Sequence, residues 1–186
     1  DFKMACQSAD VVSQLVRSVG DLATIINASG RRAIFTVAPN KTTLHSDFLP
    51  DGQGSLDCLN KYSSELWSGL SAANIDGYVD LKSALSDEME ETREPLYSRK
   101  DSHWDSAGSA AAAKAVINTL QPGLWDDSAL QFRGVVDYIG DLTYLEGNPV
   151  VDQTPLYEVV RPEITAGTTE IWDAEDMTRV YRRYTN

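Results

Sequence analysis

The sequence predicts a single α/β domain in which helices flank a parallel β-sheet. Helical and strand-like patterns alternate along the chain as far as Leu120, which is typical of this fold class. The first strand candidate, residues 32–38, is a β-branched and aromatic run of the kind that forms a central parallel strand buried on both faces. The length of 186 residues fits one domain over residues 1–186, at roughly 150 residues per domain.

The first helix is predicted from Ser8 to Gly30, because its apolar residues recur at the spacing of one helix face. Ser8 or Asp10 is placed to cap its start. The strand over 32–38 ends at Pro39, and the prolines and glycines of residues 39–56 predict a long loop. The apolar face of the helix comprises Val11, Val12, Leu15, Val19, Leu22, Ile25 and Ile26.

The same alternation continues to residue 123, and residues 1–123 are expected to form the core of the domain. Asp105 and Ser106 cap the last helix of this part, and Pro122 stops it. The elements are helices over 59–70, 81–91 and 107–120, strands over 75–80 and 96–98, and a loop over 99–104. Residues 124–186 predict a helix over 135–145 and strands over 156–160, 168–172 and 179–184.

The charge balance excludes one class of protein. The chain has 16 Lys and Arg against 28 Asp and Glu, which gives a formal net charge of −12. A protein that follows nucleic-acid phosphates needs a basic surface, so no nucleic-acid partner is expected. The longest apolar run, around Ala110–Ala113, is too short to cross a membrane, and any signal peptide or membrane anchor is expected outside these residues.

The chain has two cysteines, Cys6 and Cys58, and two histidines, His45 and His103. These are too few soft ligands for a structural zinc site, and no metal is expected. The cysteines leave two alternatives open. A disulfide would indicate a protein located outside the cytosol, whereas two buried thiols would carry no such implication.

Two loops carry most of the polar side chains that could perform chemistry. Residues 38–43 directly follow the first strand, and residues 97–104 directly precede the helix over 107–120. In an open parallel sheet, functional groups collect in loops at the carboxyl ends of the strands. The predicted topology brings both loops to the same edge.

Asp101 and His103 are separated by one residue in the second loop. A carboxylate this close can accept a hydrogen bond from one imidazole nitrogen, which sets the tautomer and stabilises the imidazolium formed when the other nitrogen takes a proton. This is the orienting and basic half of an acyl-transfer triad. A surface hydrogen bond without function is the alternative, and a metal site is disfavoured because further histidine ligands are lacking.

Three segments together resemble the SGNH-hydrolase-like domain of the alginate O-acetyltransferases, within the broader group of bacterial cell-envelope acetyltransferases. They are Val37-Ala-Pro-Asn-Lys-Thr-Thr, Phe48-Leu-Pro50 and Leu96-Tyr-Ser-Arg-Lys-Asp-Ser-His-Trp-Asp-Ser-Ala-Gly108. Gly140-Asp-Leu142 resembles a further element of that family. The resemblance covers residues 5–145 and implies a flavodoxin-like, SGNH-hydrolase-type parallel sheet flanked by helices.

By this resemblance Asp101 orients His103, and His103 is the general base of a Ser-His-Asp triad. The intact protein would transfer acetyl groups, without a cofactor, to hydroxyls of a cell-envelope polysaccharide or glycolipid. The implied partners are an acetyl donor, such as an acylated membrane protein or domain, and a glycan or glycolipid acceptor. The implied location is extracytoplasmic, periplasmic or at the cell surface, with membrane anchoring through segments outside this chain. A carbohydrate esterase and a non-catalytic carbohydrate-binding or scaffold domain are the alternatives.

One departure from the family concerns the nucleophile, which in the family is a serine in a Gly-Asp-Ser-Phe type of turn, C-terminal to the Asp-x-His. None of the 17 serines lies in such a setting, and Gly140-Asp141 is followed by Leu142. We therefore expect a domain that is incomplete at its C-terminus, lacking its last strand and the nucleophile turn. The oxyanion hole stays unassigned, because part of it belongs to that turn in the family.

Lys41, Tyr97 and Trp104 are the candidate substrate-binding residues. Lys41 lies in the first loop, and the two aromatic residues flank the Asp101–His103 pair. Each has a structural alternative: Lys41 could hold the loop by donating to carbonyl groups, and Tyr97 and Trp104 could belong to the core.

The predicted topology favours a disulfide between Cys6 and Cys58, because both begin helices whose N-termini lie at the same sheet edge. The bond would close a loop of about 50 residues, worth roughly 4 kcal/mol in the chain-entropy model. Mass spectrometry after alkylation of the native protein is expected to find neither cysteine alkylated. Alkylation of both would contradict the pairing.

Overall fold

The computed structural model describes residues 9–49, 54–161, 165–172 and 178–185. The helices are α1 (Ala9–Ala28), α2 (Lys41–Leu44), α3 (Gly54–Ala72), α4 (Leu81–Thr92), α5 (Ser106–Leu120) and α6 (Asp141–Leu145). The strands are β1 (Phe35–Thr36), β2 (Tyr78–Val79), β3 (Leu130–Ile139), β4 (Val151–Val159), β5 (Thr165–Trp172) and β6 (Thr178–Thr185). Short 3-10 turns occupy Ser46–Phe48 and Asp127–Ala129.

Strands β1 and β2 form a parallel pair, in which Phe35 is opposite Tyr78 and Thr36 is opposite Val79. The chain between them forms helix α3, as a parallel connection requires. The predicted α/β class with a parallel sheet is confirmed. Both strands are much shorter than the predicted segments 32–38 and 75–80, because only two residues of each segment pair with each other.

The hydrophobic core lies where β2, α4 and α5 meet. Leu85 of α4 is fully buried, and Leu96, which precedes the Asp101–His103 loop, is 1% exposed. Burying a side chain of this size contributes about 1.5–3 kcal/mol, so these contacts are a main source of stability beside the loop. Helix α1 packs separately against α3. The buried members of the core cluster are Val79, Leu81, Leu85, Leu96, Tyr97, Ala111 and Ala112.

Helix α5 begins at a side-chain cap. The carboxylate of Asp105 accepts hydrogen bonds from the amides of Ala107 at 2.9 Å and Gly108 at 3.0 Å. These amides have no partner within the helix, which is why an N-cap acceptor stabilises it. Burial raises the pKa of Asp105, although the two hydrogen bonds act in the opposite direction. The predicted cap at Asp105 and the predicted end of this helix at Leu120 are confirmed, whereas Ser106, predicted as part of the cap, is the first residue of the helix.

The prediction of a loop throughout residues 39–56 was wrong. Lys41–Leu44 is a helical turn, Ser46–Phe48 is a 3-10 turn, and α3 already begins at Gly54. Four residues are too few to show a helical period in the sequence, and the nearby prolines and glycines indicated a loop instead. The side chain of Asn40 supports the first turn by accepting a hydrogen bond from the Thr43 hydroxyl at 3.0 Å.

The predicted helix over 135–145 was also wrong, because residues 130–139 form strand β3 and only Asp141–Leu145 is helical. Strand β3 pairs antiparallel with β4 over its length. Val135, Val136 and Ile139 match a helical spacing, but such β-branched residues favour strands when a partner is present. That partner lies more than ten residues further on, where a local period cannot reveal it.

Ser106 fastens the β3–β4 hairpin to the start of helix α5. Its hydroxyl donates to the Pro155 carbonyl at 2.7 Å and accepts from the Tyr157 amide at 2.9 Å. The backbones of β5 and β6 form a second antiparallel pair, near the strands predicted at 168–172 and 179–184.

Cys58 lies in α3 and is disulfide-bonded. Its predicted partner Cys6 lies outside the described residues, and so does Ser8, one of the two predicted caps of the first helix. The pairing of Cys6 with Cys58 therefore stays a prediction.

Gly140 allows the end of β3 to approach the backbone of the Asp101–His103 loop. A Cβ atom at this position would overlap the carbonyl group of Lys100 and lie 3.0 Å from the amide nitrogen of Asp101. The amide of Leu142 donates to the same Lys100 carbonyl at 3.2 Å. The backbone conformation of Gly140 is an ordinary extended one, so the requirement for glycine here comes from this close approach.

Removing the cap of α5 should destabilise the protein without altering the core. We expect Asp105→Ala to lower the free energy of unfolding by about 1 kcal/mol, since the amides of Ala107 and Gly108 lose their acceptor. Urea unfolding followed by circular dichroism measures the change. Asp105→Asn keeps an acceptor oxygen and should lose less, whereas equal stability of wild type and the alanine variant would contradict the capping role.

A methyl group at residue 140 should push the loop away from β3. We expect Gly140→Ala to lower the free energy of unfolding by about 1–3 kcal/mol, the usual cost of overpacking. Gly20→Ala is the matched control, because a Cβ there would lie 3.9 Å from the Ile75 side chain, an ordinary contact within α1. The control should be neutral or more stable by about 0.5–1 kcal/mol. Equal effects of the two substitutions in thermal unfolding would contradict the close approach.

Candidate functional site

Residues 97–104 form the loop that carries the predicted catalytic pair. Its ends meet in an antiparallel bridge between Tyr97 and Trp104. The Tyr97 hydroxyl donates to the carbonyl of Pro39 in the segment that follows β1. Burial raises the pKa of Tyr97 to about 12, so this phenol remains protonated and a donor at neutral pH. The base of the loop is thereby attached to the core and to the edge of the parallel sheet.

Lys41 holds the tip of the same loop from the first turn of α2. Its ammonium group donates to three main-chain carbonyls: Ser98 at 2.7 Å, Arg99 at 2.8 Å and Asp101 at 3.0 Å. An ammonium group has three N–H donors, so all of them are used. Burial lowers the pKa of Lys41, while the charges of Asp101 and Asp141 act against this. The predicted substrate-binding role of Lys41 is not supported, because no N–H is left for a substrate.

Asp101 and His103 are in direct contact. Oδ1 of Asp101 lies 2.8 Å from Nδ1 of the imidazole and accepts the main-chain amide of His103 at 2.7 Å. The His103 side chain is 77% exposed, whereas the Asp101 side chain is 18% exposed. No described residue forms a hydrogen bond to Nε2. A half-buried carboxylate therefore holds one ring nitrogen, and the other remains available to take a proton at the surface.

Asp141 is a member of the site that the sequence did not reveal as one. Its carboxylate accepts the Ser102 amide at 2.7 Å and the Ser102 hydroxyl at 2.5 Å, and one of its oxygens lies 3.7 Å from Nδ1 of His103. Partial burial raises the pKa of Asp141, but the hydrogen bonds from Ser102 and the neighbouring His103 outweigh it, so the net pKa is below the ordinary value. The sequence pointed to Asp141 only through the segment Gly140-Asp-Leu142, which resembles an element of the family. That resemblance gave Asp141 no role.

The two predicted aromatic residues lie at the base of the loop. Tyr97 is 3% exposed and belongs to the core cluster, and Trp104 is partly buried against that cluster. A groove of about 500 Å³ runs between the first half of the loop and the β3–β4 hairpin. Tyr97 contributes to its wall together with Ser98, Arg99, Phe132, Pro155 and Tyr157. Trp104 is not among the residues that line this groove.

The serines closest in sequence to His103 are bonded to other groups. The Ser102 hydroxyl donates to Asp141, the Ser106 hydroxyl donates to Pro155, and the Ser98 hydroxyl pairs with that of Thr154 at 3.0 Å. Within the described part of the chain, no serine hydroxyl is hydrogen-bonded to the His103 ring. The described residues therefore provide a histidine in contact with a carboxylate and no serine hydroxyl bonded to its ring.

Asp101, His103 and Asp141 are also the one group of potential metal ligands that we find among the described residues. One ligand atom from each lies within 4.8 Å of the others. However, Nδ1 of His103 is hydrogen-bonded to Asp101, and Asp141 accepts two hydrogen bonds from Ser102. Since these side chains satisfy each other and Ser102, the arrangement fits proton transfer better than metal binding.

Comparison with known proteins identifies the family. The model of the SGNH hydrolase-like domain of acetyltransferase AlgX matches residues 2–171. No curated protein sequence matches the chain. None of the described helices has the length and apolar character needed to cross a membrane.

Among solved structures, the O-acetyltransferase domain of Pseudomonas putida AlgJ is similar in fold. It has 22% sequence identity to this chain and a TM-score of 0.52, and the match covers 84% of this chain. The match spans 60% of the AlgJ chain. The family model covers most of the sequence, including both loops and the Asp101–His103 pair. The chain therefore belongs to the family of SGNH hydrolase-like AlgX acetyltransferase domains.

Proposed function

We propose that this domain supplies the general base, His103, and the orienting carboxylate, Asp101, of an extracytoplasmic O-acetyltransferase. The contact of 2.8 Å between Asp101 and Nδ1 of His103, on a ring that is 77% exposed, carries the proposal. An imidazole held at one nitrogen and open at the other is what a base needs in order to take a proton from a hydroxyl group. The family match supports the acetyltransferase class.

In the proposed first step, a serine outside residues 1–186 attacks the acetyl carbonyl of the donor. Its hydroxyl proton passes to Nε2 of His103 as the bond between serine oxygen and acetyl carbon forms. Asp101 stabilises the imidazolium through Nδ1. The imidazolium then returns the proton to the leaving oxygen of the donor as its bond to the acetyl carbon breaks. The product is an acetylated serine.

In the second step, a hydroxyl of the acceptor replaces the donor. Nε2 of His103 removes the acceptor's proton while its oxygen attacks the acetyl-serine, and the serine oxygen regains the proton when it leaves. The proposed acceptor is a cell-envelope polysaccharide or glycolipid, and the proposed donor is an acylated membrane protein or domain. An esterase would use water in place of the acceptor, so formation of acetylated glycan distinguishes the two.

The groove beside the loop offers a place for an extended acceptor. It has the volume of a small-molecule site and joins apolar walls from the hairpin, Phe132 and Pro155, to polar groups of the loop, Ser98 and Arg99. Ring faces and mixed polar groups suit a sugar chain, which presents both C–H faces and hydroxyls. The non-catalytic alternative would use this groove for binding alone.

His103 should be essential for acetyl transfer in the full-length protein and without effect in residues 1–186 alone. We expect His103→Ala to lower kcat of the full-length protein with an activated acetyl ester by about 10⁶-fold and Asp101→Asn by about 10⁴-fold, as loss of the corresponding triad member does. Residues 1–186 should show no turnover that depends on His103. Release of the ester's leaving group, followed by absorbance, measures both.

His45→Gln is the matched histidine control and should leave the rate unchanged. Its ring packs edge-on against Tyr97 at 5.8 Å, so thermal unfolding must first show that the variant is folded. Strong turnover by residues 1–186 that disappears in His103→Ala would show that this part of the chain contains a nucleophile. Full-length activity that survives both site substitutions would exclude the catalytic role of the pair.

A further inference from the structure

We propose that Asp141 is a positioning residue of this site: it locks the Asp101–His103 pair so that Nδ1 of the imidazole keeps its proton and faces Asp101. The inference deepens the proposed function and rests on it. Asp141 is forty residues from Asp101 in the chain, and it contacts all three consecutive residues of the segment Asp101–His103.

The main chain of Asp141 orients the Asp101 carboxylate. The amide of Asp141 donates to Oδ2 of Asp101 at 3.2 Å. The other oxygen, Oδ1, accepts the amide and the Nδ1 of His103. With Oδ2 held by α6, rotation of the carboxylate is opposed and Oδ1 stays directed at the ring.

The side chain of Asp141 fixes the residue between the pair. Its two oxygens accept the amide and the hydroxyl of Ser102 at 2.7 and 2.5 Å. The first bond holds the peptide group between Asp101 and Ser102, and the second holds the Ser102 side chain. Together they restrain the backbone from which the His103 side chain projects. Hydrogen bonds to an ionised acceptor are roughly twice as strong as neutral ones, and the lowered pKa of Asp141 keeps it ionised at neutral pH.

The support of Asp141 is itself well anchored. Asp141 is the first residue of α6 and directly follows Gly140, whose backbone lies against that of Lys100. The Thr143 side chain is 2% exposed, and its hydroxyl donates to the Gly140 carbonyl at 2.7 Å. A carboxylate on so firmly held a segment can restrain the loop, because the segment moves less than the loop does.

Polar contacts are needed here because packing cannot hold the ring. With 77% of its side chain exposed, His103 has few neighbours that would restrict its rotation. Oδ2 of Asp141, 3.7 Å from Nδ1, adds a second negative charge on the side of the ring where a proton must stay. The ammonium group of Lys41 bonds to the Asp101 carbonyl and to two more carbonyls of the loop, not to either carboxylate. Two carboxylates, those of Asp101 and Asp141, therefore lie beside Nδ1 of the His103 ring.

The ring tautomer of His103 tests the proposal on residues 1–186 without any catalysis. Two-bond proton–nitrogen NMR spectra at about pH 9, above the ordinary histidine range, give the ratio of Nδ1–H to Nε2–H forms. We expect Asp141→Asn to lower this ratio by about fivefold, the size of one partly exposed charge contact. Ser102→Ala should shift it in the same direction, because the Asp141 carboxylate loses one of its two donors.

Asp137→Asn is the matched control, since Asp137 is an exposed carboxylate on β3 that bonds to Gln153 and not to the loop. It should leave the tautomer ratio unchanged, and thermal unfolding checks that each of the three variants is folded at the temperature of the measurement. A wild-type ratio in both Asp141→Asn and Ser102→Ala would overturn the proposal, and so would an equal fall in Asp137→Asn. If Asp141→Asn fails to fold, Ser102→Ala decides. Absence of acetyltransferase activity in the full-length protein would contradict the proposed function and leave this measurement unaffected.

Discussion

The ammonium group of Lys41 is the contact on which the geometry of the site depends. Three carbonyls of the loop converge on one cation, which is partly buried between α2 and the loop. The carbonyl groups of Ser98, Arg99 and Asp101 would otherwise need hydrogen bonds from water or from other parts of the loop at the sheet edge. Because one charged group satisfies them all, a loop without regular secondary structure acquires a defined shape.

Two further contacts turn that shaped loop into a site. The Asp105 cap sets where α5 begins, so the loop has a rigid exit, and the approach of Gly140 brings α6 against its other side. The Asp101–His103 pair thus lies on an irregular segment, while the three helices α2, α5 and α6 determine where that segment lies. This division is common in α/β proteins, whose loops at the carboxyl ends of strands bear the functional groups.

The sequence predicted the long helices well, because their evidence is local. Helices α1, α4 and α5 have apolar periods or caps that lie within the segment itself. It failed at residues 135–145, where the decisive interaction is pairing with β4, and at residues 41–44, which are too few for a period. In the site, Asp101 and His103 were found because they are neighbours in sequence. Asp141 was not found, because it reaches the loop only through the tertiary fold.

The separation between Asp101 and Asp141 has a consequence for how the site comes into being. During synthesis, Asp101 and His103 leave the ribosome about forty residues before the residue that completes their network. Until β3 has formed and α6 lies against the loop, bringing Asp141 close to Asp101 costs chain entropy that no contact compensates. His103 and Asp101 are thus close in sequence, yet their complete network forms late. A nascent chain exposes both as ordinary surface residues before Asp141 reaches them.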